Sequence, residues 1–297
     1  MGRSEFENCH PIVNFFYFAS VILWSMFLMH PVFVCVSLVC SFFYSILLNG
    51  KKAVKFNFGI LIPSIAVMML INVLFIHEGM TILFYLPNDN PVTLESIVYG
   101  AAAATMFVSV ICWFSCYNRV VSSDKFIYLF GKIAPSLSLI LSMALRFVPH
   151  YKVQAKAIVM AQAGIYGKSR EKGLIDNARR GLKAMSILTS WALENAIDTA
   201  DSMKARGYGL KGRTSFHHFR FDNRDGVFLG LLLFLTAVMI WGAFNGAVSM
   251  RFYPTIQAAL LGMKTAVTGG AYLLLCLLPI LLETVEGIKW KYFRSKI

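Results

Sequence analysis

Six apolar stretches, at residues 11–29, 31–48, 58–76, 94–116, 226–246 and 269–287, run without a single lysine or arginine. A bilayer core of ~30 Å takes roughly 20 apolar residues as a helix, so each qualifies as a crossing. The joint between the first two, Met29-His30-Pro31, is so short that it forces an antiparallel hairpin. With 57% hydrophobic and 14% charged residues, the chain has the balance of a polytopic membrane protein and not that of a soluble domain. The expectation is an all-α polytopic membrane protein of about six transmembrane helices. It divides into helices one to four (1–116), an interfacial and cytoplasmic segment (117–225), and helices five and six with a basic tail (226–297).

Basic residues near span ends set the orientation. Lys51, Lys52 and Lys55 follow the second span, which places that loop and the N-terminus in the cytoplasm. The loop 77–93 has Glu78 and Asp89 but no lysine or arginine, as an outside loop should, and Arg119, Lys125 and Lys132 follow the fourth span. A net charge of +13 is thus accounted for by the inner face of a cell membrane, and no nucleic acid partner is expected. The opening residues MGRSEFENCHP carry acids and lack a small-residue cleavage site, so no removed leader is expected.

The stretch 126–149 is apolar enough to suggest a further crossing, but charge argues against it. Residues 150–225 hold 14 Lys and Arg against 7 Asp and Glu, and an extra crossing would put that segment outside. It would also leave Arg146 deep in a span, where a centred arginine costs roughly 2.5–3.5 kcal/mol on insertion scales. The stretch is therefore expected to lie along or dip into the inner interface, and both termini are expected in the cytoplasm.

Between spans four and five the chain reads as a pair of cytoplasmic helices. Along 185–206, Met185, Leu188, Ala192, Ala196, Ala200 and Met203 gather on one side at 3.6-residue periodicity, with Glu194, Asp198 and Asp201 opposite. An earlier helix over 150–163 puts Val153, Ala157 and Met160 on one face and Lys152 and Lys156 on another, with Pro149 separating it from the interfacial piece. The two could cross with the acidic face near the basic one, joined by the glycine-rich turn GIYGKSREKG. The three acids read as a solvated or salt-bridged face, since no histidine joins them to make a metal or acid–base cluster.

The second helix ends in Ala205-Arg206-Gly207, within ADSMKARGYGLKGR. A cation at a helix C-terminus gains ~0.3–1 kcal/mol from the dipole, and Gly207 suits the left-handed residue that ends a helix. Capping alone would explain the tripeptide. Ala205 and Gly207 also strip bulk from both sides of the arginine, leaving a tip that could enter a groove with its five-donor guanidinium leading.

At these residues the chain resembles the transmembrane (T) component of energy-coupling factor (ECF) importers, the EcfT/CbiQ family. DSMKARGYG matches the second of the family's two Ala-Arg-Gly-like tripeptides, LRFVPHY (145–151) resembles the entry to its first coupling helix, and HPIVNF (10–15) resembles its beginning more weakly. The likeness covers 117–213 well and the remaining spans by layout. The first tripeptide departs: Ala163-Gly164-Ile165, in AQAGIYGKS, stands where an arginine belongs, so that helix would dock by shape or through Lys168 or Arg170. The resemblance implies a coupling subunit that binds two ABC-type ATPases through the coupling helices and a substrate-binding membrane protein, the S component, through its membrane face. It implies uptake of a vitamin or other micronutrient chosen by the S component, with a metal ion next in line.

Other signals point to less. GIYGKS (164–169) imitates a phosphate loop but has Gln162 where the motif needs glycine, and no strand precedes it. The chain is therefore not expected to be an enzyme or to hold a cofactor or resident metal. For an intramembrane enzyme the candidates are His77-Glu78, His217-His218, Glu283 and Glu286, each with a duller place at a span end or juxtamembrane stretch, although Glu283 could pair with Arg146. Cys112 and Cys116 are one turn apart without a flanking histidine or acid, and the six cysteines read as packing or lipid-facing residues. A conventional ABC permease is the alternative; its spans would need polar lining, whereas Gly226/Gly230, Gly242/Gly246 and Ala101–Ala104 favour helix packing and offer an S-component face.

Overall fold

The computed structural model of the chain describes residues 5–85, 91–131, 134–166, 174–210, 219–248, 250–255, 257–258 and 262–294. They form two compact units, Met1–Phe126 with Phe219–Ile297, and Ile127–His218.

The first unit is the membrane base. After a 3-10 turn at Glu5–Asn8 come α1 (Pro11–Phe27), α2 (Pro31–Asn49), α3 (Lys51–Phe75) and α4 (Leu94–Val120), with α5 (Ser123–Gly131) leading out of it. Pro11 and Pro31 open their helices at the first turn, where the missing N–H has no helical partner to lose. Gly50, at φ 64°, breaks α2 from α3, and Thr93 caps α4 by accepting from the N–H of Ser96. The chain re-enters with α8 (Asn223–Phe244) and ends with α9 (Met263–Arg294). Short antiparallel ribbons, β1 (Ile82–Tyr85) with β2 (Pro91–Thr93) and β3 (Met250–Arg251) with β4 (Gln257–Ala258), sit in the connections and leave the fold all-α in character.

Among the described residues five helices are long and apolar enough to cross a membrane: α2, Ala53–Phe75 of α3, α4, α8 and Met263–Val285 of α9. The sixth expected span is shorter than the sequence suggests. α1 has 17 residues, about 25 Å at 1.5 Å per residue, because Leu28 turns extended just before His30-Pro31. Pro63 and Pro279 lie inside α3 and α9, as prolines in membrane helices can when neighbouring groups re-satisfy the backbone.

α4 is the central post, packed against α1, α2 and α3, while α9 packs against α2 and α8. Lipid is as apolar as leucine, so close packing and interhelical hydrogen bonds hold such helices together. Trp113 of α4 is fully buried, donates Nε1–H to Ser37 Oγ at 3.1 Å, and meets Tyr17 and Tyr44 edge-on or tilted at 6.2 Å. Tyr17 in turn donates to the Cys276 carbonyl at 3.4 Å. Cys9, Cys40, Cys112, Cys116 and Cys276 are buried and Cys35 is exposed, in keeping with packing and lipid-facing roles. Gly242 lets α8 approach α9 so closely that a Cβ there would overlap the Thr268 side chain, which makes this part of the glycine pattern internal packing. Gly230 faces open space.

Hydrogen bonds sort the helix ends onto two faces. On one, Lys125 Nζ donates to the carbonyls of Glu7 and Val120, His10 N–H donates to Asp225 Oδ1 at 3.3 Å, and Phe221 packs edge-on to His10 at 5.2 Å. The start of α1, the end of α4 and the start of α8 therefore lie together. On the other, Met80 N–H donates to the Pro254 carbonyl at 3.2 Å and Tyr99 packs on Phe252 at 5.2 Å, gathering the α3–α4 and α8–α9 connections. The chain leaves this unit after Phe126 and returns to it at Phe219, on that first face.

The second unit is a helical pair, α6 (Pro135–Tyr166) and α7 (Leu174–Ala205). Pro149 does not divide α6, contrary to the sequence expectation: one 32-residue helix runs through it. A proline in a helix interior removes one hydrogen bond and costs ~3 kcal/mol, which the packing of α6 on α7 outweighs.

Candidate functional site

Leu174–Ala205 ends in a complete glycine cap. The N–H of Gly207 bonds the Lys204 carbonyl at 2.9 Å and that of Tyr208 bonds the Met203 carbonyl at 3.0 Å, the paired pattern of a Schellman motif. Gly207 takes φ 82°, the left-handed conformation that any Cβ makes unfavourable. Leu210 then folds back, its N–H donating to the Gly207 carbonyl at 3.3 Å. Ala205 and Arg206, the last residues before the turn, are both exposed. Arg206 is thus held at a fixed backbone position with its side chain open to a partner.

α6 and α7 run antiparallel. Trp191 meets His150 at 5.2 Å and Tyr151 at 5.7 Å, and Tyr151 stacks on Phe147 with planes 6° apart. The half-buried seam of α7 is Ala184, Leu188, Trp191, Ala192, Asn195, Thr199 and Met203, facing Met143, Phe147, Tyr151 and Ile158 of α6. This differs from the stripe expected from sequence. Met185, Ala196 and Ala200 are exposed, as are Val153, Ala157 and Met160. The reason is that Trp191 offers a large aromatic surface, and the helix turns so as to bury it rather than the smaller alanines. Nor do acidic and basic faces pair: Glu194 and Asp198 are exposed, Asp201 bonds Lys204 on its own helix at 3.5 Å, and among the described residues none of the three meets Lys152 or Lys156.

Where the seam opens, a cleft of about 580 Å³ lies between the first half of α6 and the end of α7. It is lined by Met143, Arg146, Phe147, His150, Asn195, Asp198, Thr199, Ser202, Met203 and Arg206. Two arginines face one carboxylate, so the cleft carries net positive charge and an apolar floor. Arg146 was not among the site residues expected from sequence. The spacing of Met143, Arg146, Phe147 and His150, three and four apart, could have placed it on the same face as the aromatic seam.

The other tripeptide lies far from this tip. Ala163, Gly164 and Ile165 form the last turn of α6, all exposed, with open space around Gly164. Counting outward from the His150–Trp191 contact in the two opposite directions, roughly 40 Å of helix separates Ala163 from Ala205 at 1.5 Å per residue. The structure makes two separate tips and not one composite site. Lys168, Arg170 and the turn they belong to lie outside the described residues, as do His217 and His218. His77 and Glu78 lie in the connection before β1, where the Glu78 carbonyl accepts from Thr93 Oγ1 at 2.9 Å. Among the described residues no cluster of three or more His, Cys, Asp or Glu side chains could hold a metal ion.

The family model for CbiQ, cobalt transport protein, matches residues 9–216. The chain is 33% identical over 105 residues to an energy-coupling factor transporter transmembrane protein EcfT of Bacillus selenitireducens, covering 35% of this chain and 39% of that one. To the EcfT of Lacticaseibacillus paracasei it is 27% identical over 245 residues, 77% of this chain and 89% of the relative. A Mycoplasma pneumoniae protein, the MG181 homolog, is 28% identical over 181 residues, 57% and 42% of the two chains. The match to the first of these relatives spans about two fifths of that protein's length.

Proposed function

The chain belongs to the CbiQ cobalt transport protein family, whose members are transport proteins, and from that premise we propose that it is the coupling subunit of an energy-coupling factor importer. In this reading the base anchors the complex in the cell membrane with both termini in the cytoplasm, and α6 and α7 carry motion from two ABC-type ATPases to a substrate-binding membrane partner. The chain supplies no chemistry of its own. What passes through the complex is a vitamin or another micronutrient, selected by that partner.

The observation that carries the reading is the pair of exposed tips. One partner could not easily grip two points separated by roughly 40 Å of helix, whereas two ATPase subunits can take one each. At the α7 tip, the Schellman turn fixes Arg206 beside the cationic cleft, a site suited to an acidic or carbonyl-rich groove. At the α6 tip, Ala163-Gly164-Ile165 offers shape without charge, and Ile165 is 77% exposed. Exposed Leu182, Met185, Leu193 and Ile197 on the outer face of α7 suit a further apolar partner.

Co-expression with the two ATPases of the same organism tests this. Arg206→Glu should reduce their copurification at least tenfold, since truncating a buried charge pair costs ~2–5 kcal/mol. Retention of both ATPases at wild-type yield with undiminished uptake would refute it.

A further inference from the structure

β1 presents four consecutive apolar side chains, Ile82, Leu83, Phe84 and Tyr85, each between 47% and 63% exposed. Successive residues of a strand point to opposite faces, so β1 exposes apolar side chains on both of its sides. Its partner strand is different: Val92 and Thr93 are buried against the base. Phe84 pairs with Val92 and Ile82 with Thr93, and the register slips between them, so Leu83 is the extra residue of a bulge that twists the strand.

The root of the ribbon is held firmly. Thr81 donates its hydroxyl to Glu95 Oε1 at 2.8 Å and its N–H to the same carboxylate at 3.2 Å, while Leu94 N–H returns to the Thr81 carbonyl at 3.0 Å. Gly79, at φ 144°, leaves room for that carboxylate, since a Cβ there would come within 2.7 Å of Glu95 Oε2. An apolar ribbon set rigidly on a polar clasp has a defined orientation.

We propose that the β1–β2 ribbon is seated in the headgroup layer of the bilayer, on the face opposite the start of α1. Two observations select lipid as the occupant. The ribbon continues from the exposed apolar end of α3, where Leu70, Leu74 and Phe75 face outward on a helix with little protein around it. And among the described residues the ribbon has two strands, so the outer edge of β1 carries N–H and C=O groups outside the ladder, which water must reach. Those groups exclude the hydrocarbon core, where each unsatisfied one would cost several kcal/mol. The depth that satisfies side chains and backbone together is the interface, where tyrosine and other aromatic rings are at home. The ribbon thereby fixes how high the outer ends of α3 and α4 stand in the membrane.

Spin labels in lipid nanodiscs test this. In a Cys35→Ser background, labels at Leu83→Cys and Phe84→Cys are compared with Ile62→Cys, exposed near the middle of the α3 span, and with Asp201→Cys as an aqueous reference, using collisions with oxygen and with a nickel chelate. Both ribbon labels should give oxygen-to-nickel ratios several-fold above Asp201→Cys and clearly below Ile62→Cys. Ratios equal to the aqueous reference, ratios at or above Ile62→Cys, or protection from both reagents, as protein cover would give, would each overturn the proposal.

Discussion

Tyr208 donates its backbone N–H to the Met203 carbonyl at 3.0 Å, and this bond closes the turn that positions Arg206. It requires Gly207 in the left-handed region, with its Cα hydrogen facing Leu210 Cδ1 where a Cβ would come to 3.0 Å. Gly207→Ala should therefore destabilise the turn by about 1–2 kcal/mol without unfolding α7. Hydrogen exchange at Gly207 and Tyr208 should accelerate roughly tenfold, with exchange around Trp191 unchanged. Gly207→Asn should cost less, because asparagine tolerates this conformation.

Arg206→Lys separates charge from shape. If the planar fork is what a partner grips, lysine should lose at least several-fold in ATPase copurification although the net charge is the same. Equal yields for arginine and lysine would reduce the contact to simple attraction.

Gly242 and Gly230 make a matched pair. Gly242→Val drives a side chain into Thr268 and should cost about 1–3 kcal/mol, seen as a lower unfolding temperature in detergent. Gly230→Val, which meets nothing, should leave that temperature within a degree or two.

Asp225 ties two helices with one carboxylate. It accepts from His10 N–H and takes part in the capping box with Asp222 at the start of α8. Asp225→Ala should cost about 1–2 kcal/mol, the usual range for a lost cap, again read by thermal unfolding.

Lys125 gives a pH test. Burial disfavours its charge and lowers the ammonium's pKa, opposed in part by Glu7. In the interval between that lowered value and the ordinary lysine value of ~10.4, the unfolded chain binds more protons than the folded one, so stability rises with pH. Below the interval both states are protonated and the slope vanishes. Alkaline urea titrations should show the rise in the native protein and its loss in Lys125→Met.

Most of the membrane base was legible because its signals are compositional. Long apolar runs free of lysine and arginine are a consequence of lipid and do not depend on which helix packs on which. The shortening of α1 was less so, since the apolar run continues through Leu28 and Met29 after the backbone has left the helix. Within the arm, Gly207 could be read locally, because a left-handed cap is a property of one residue and its neighbours. The seam could not. Periodicity shows that α7 has an apolar side, but the choice between the Ala196–Ala200 flank and the Trp191–Asn195–Thr199 flank depends on what α6 presents. Pro149 misled for the same reason: a local cost of ~3 kcal/mol is decisive alone and minor beside the packing of a 32-residue helix on its neighbour. Arg146 could not be placed at the cleft because sequence gives no measure of which helix face opens into one.

Phe126 and Phe219 sit on the same face of the base, and that has a meaning for how the protein is made. During synthesis the ribosome must deliver the whole arm before α8 and α9 appear. Phe33 and Tyr272, whose rings finally stand 5.8 Å apart, are therefore strangers until the last helix emerges. Until then the sides of α1 and α2 that later receive α8 and α9 stand open to lipid.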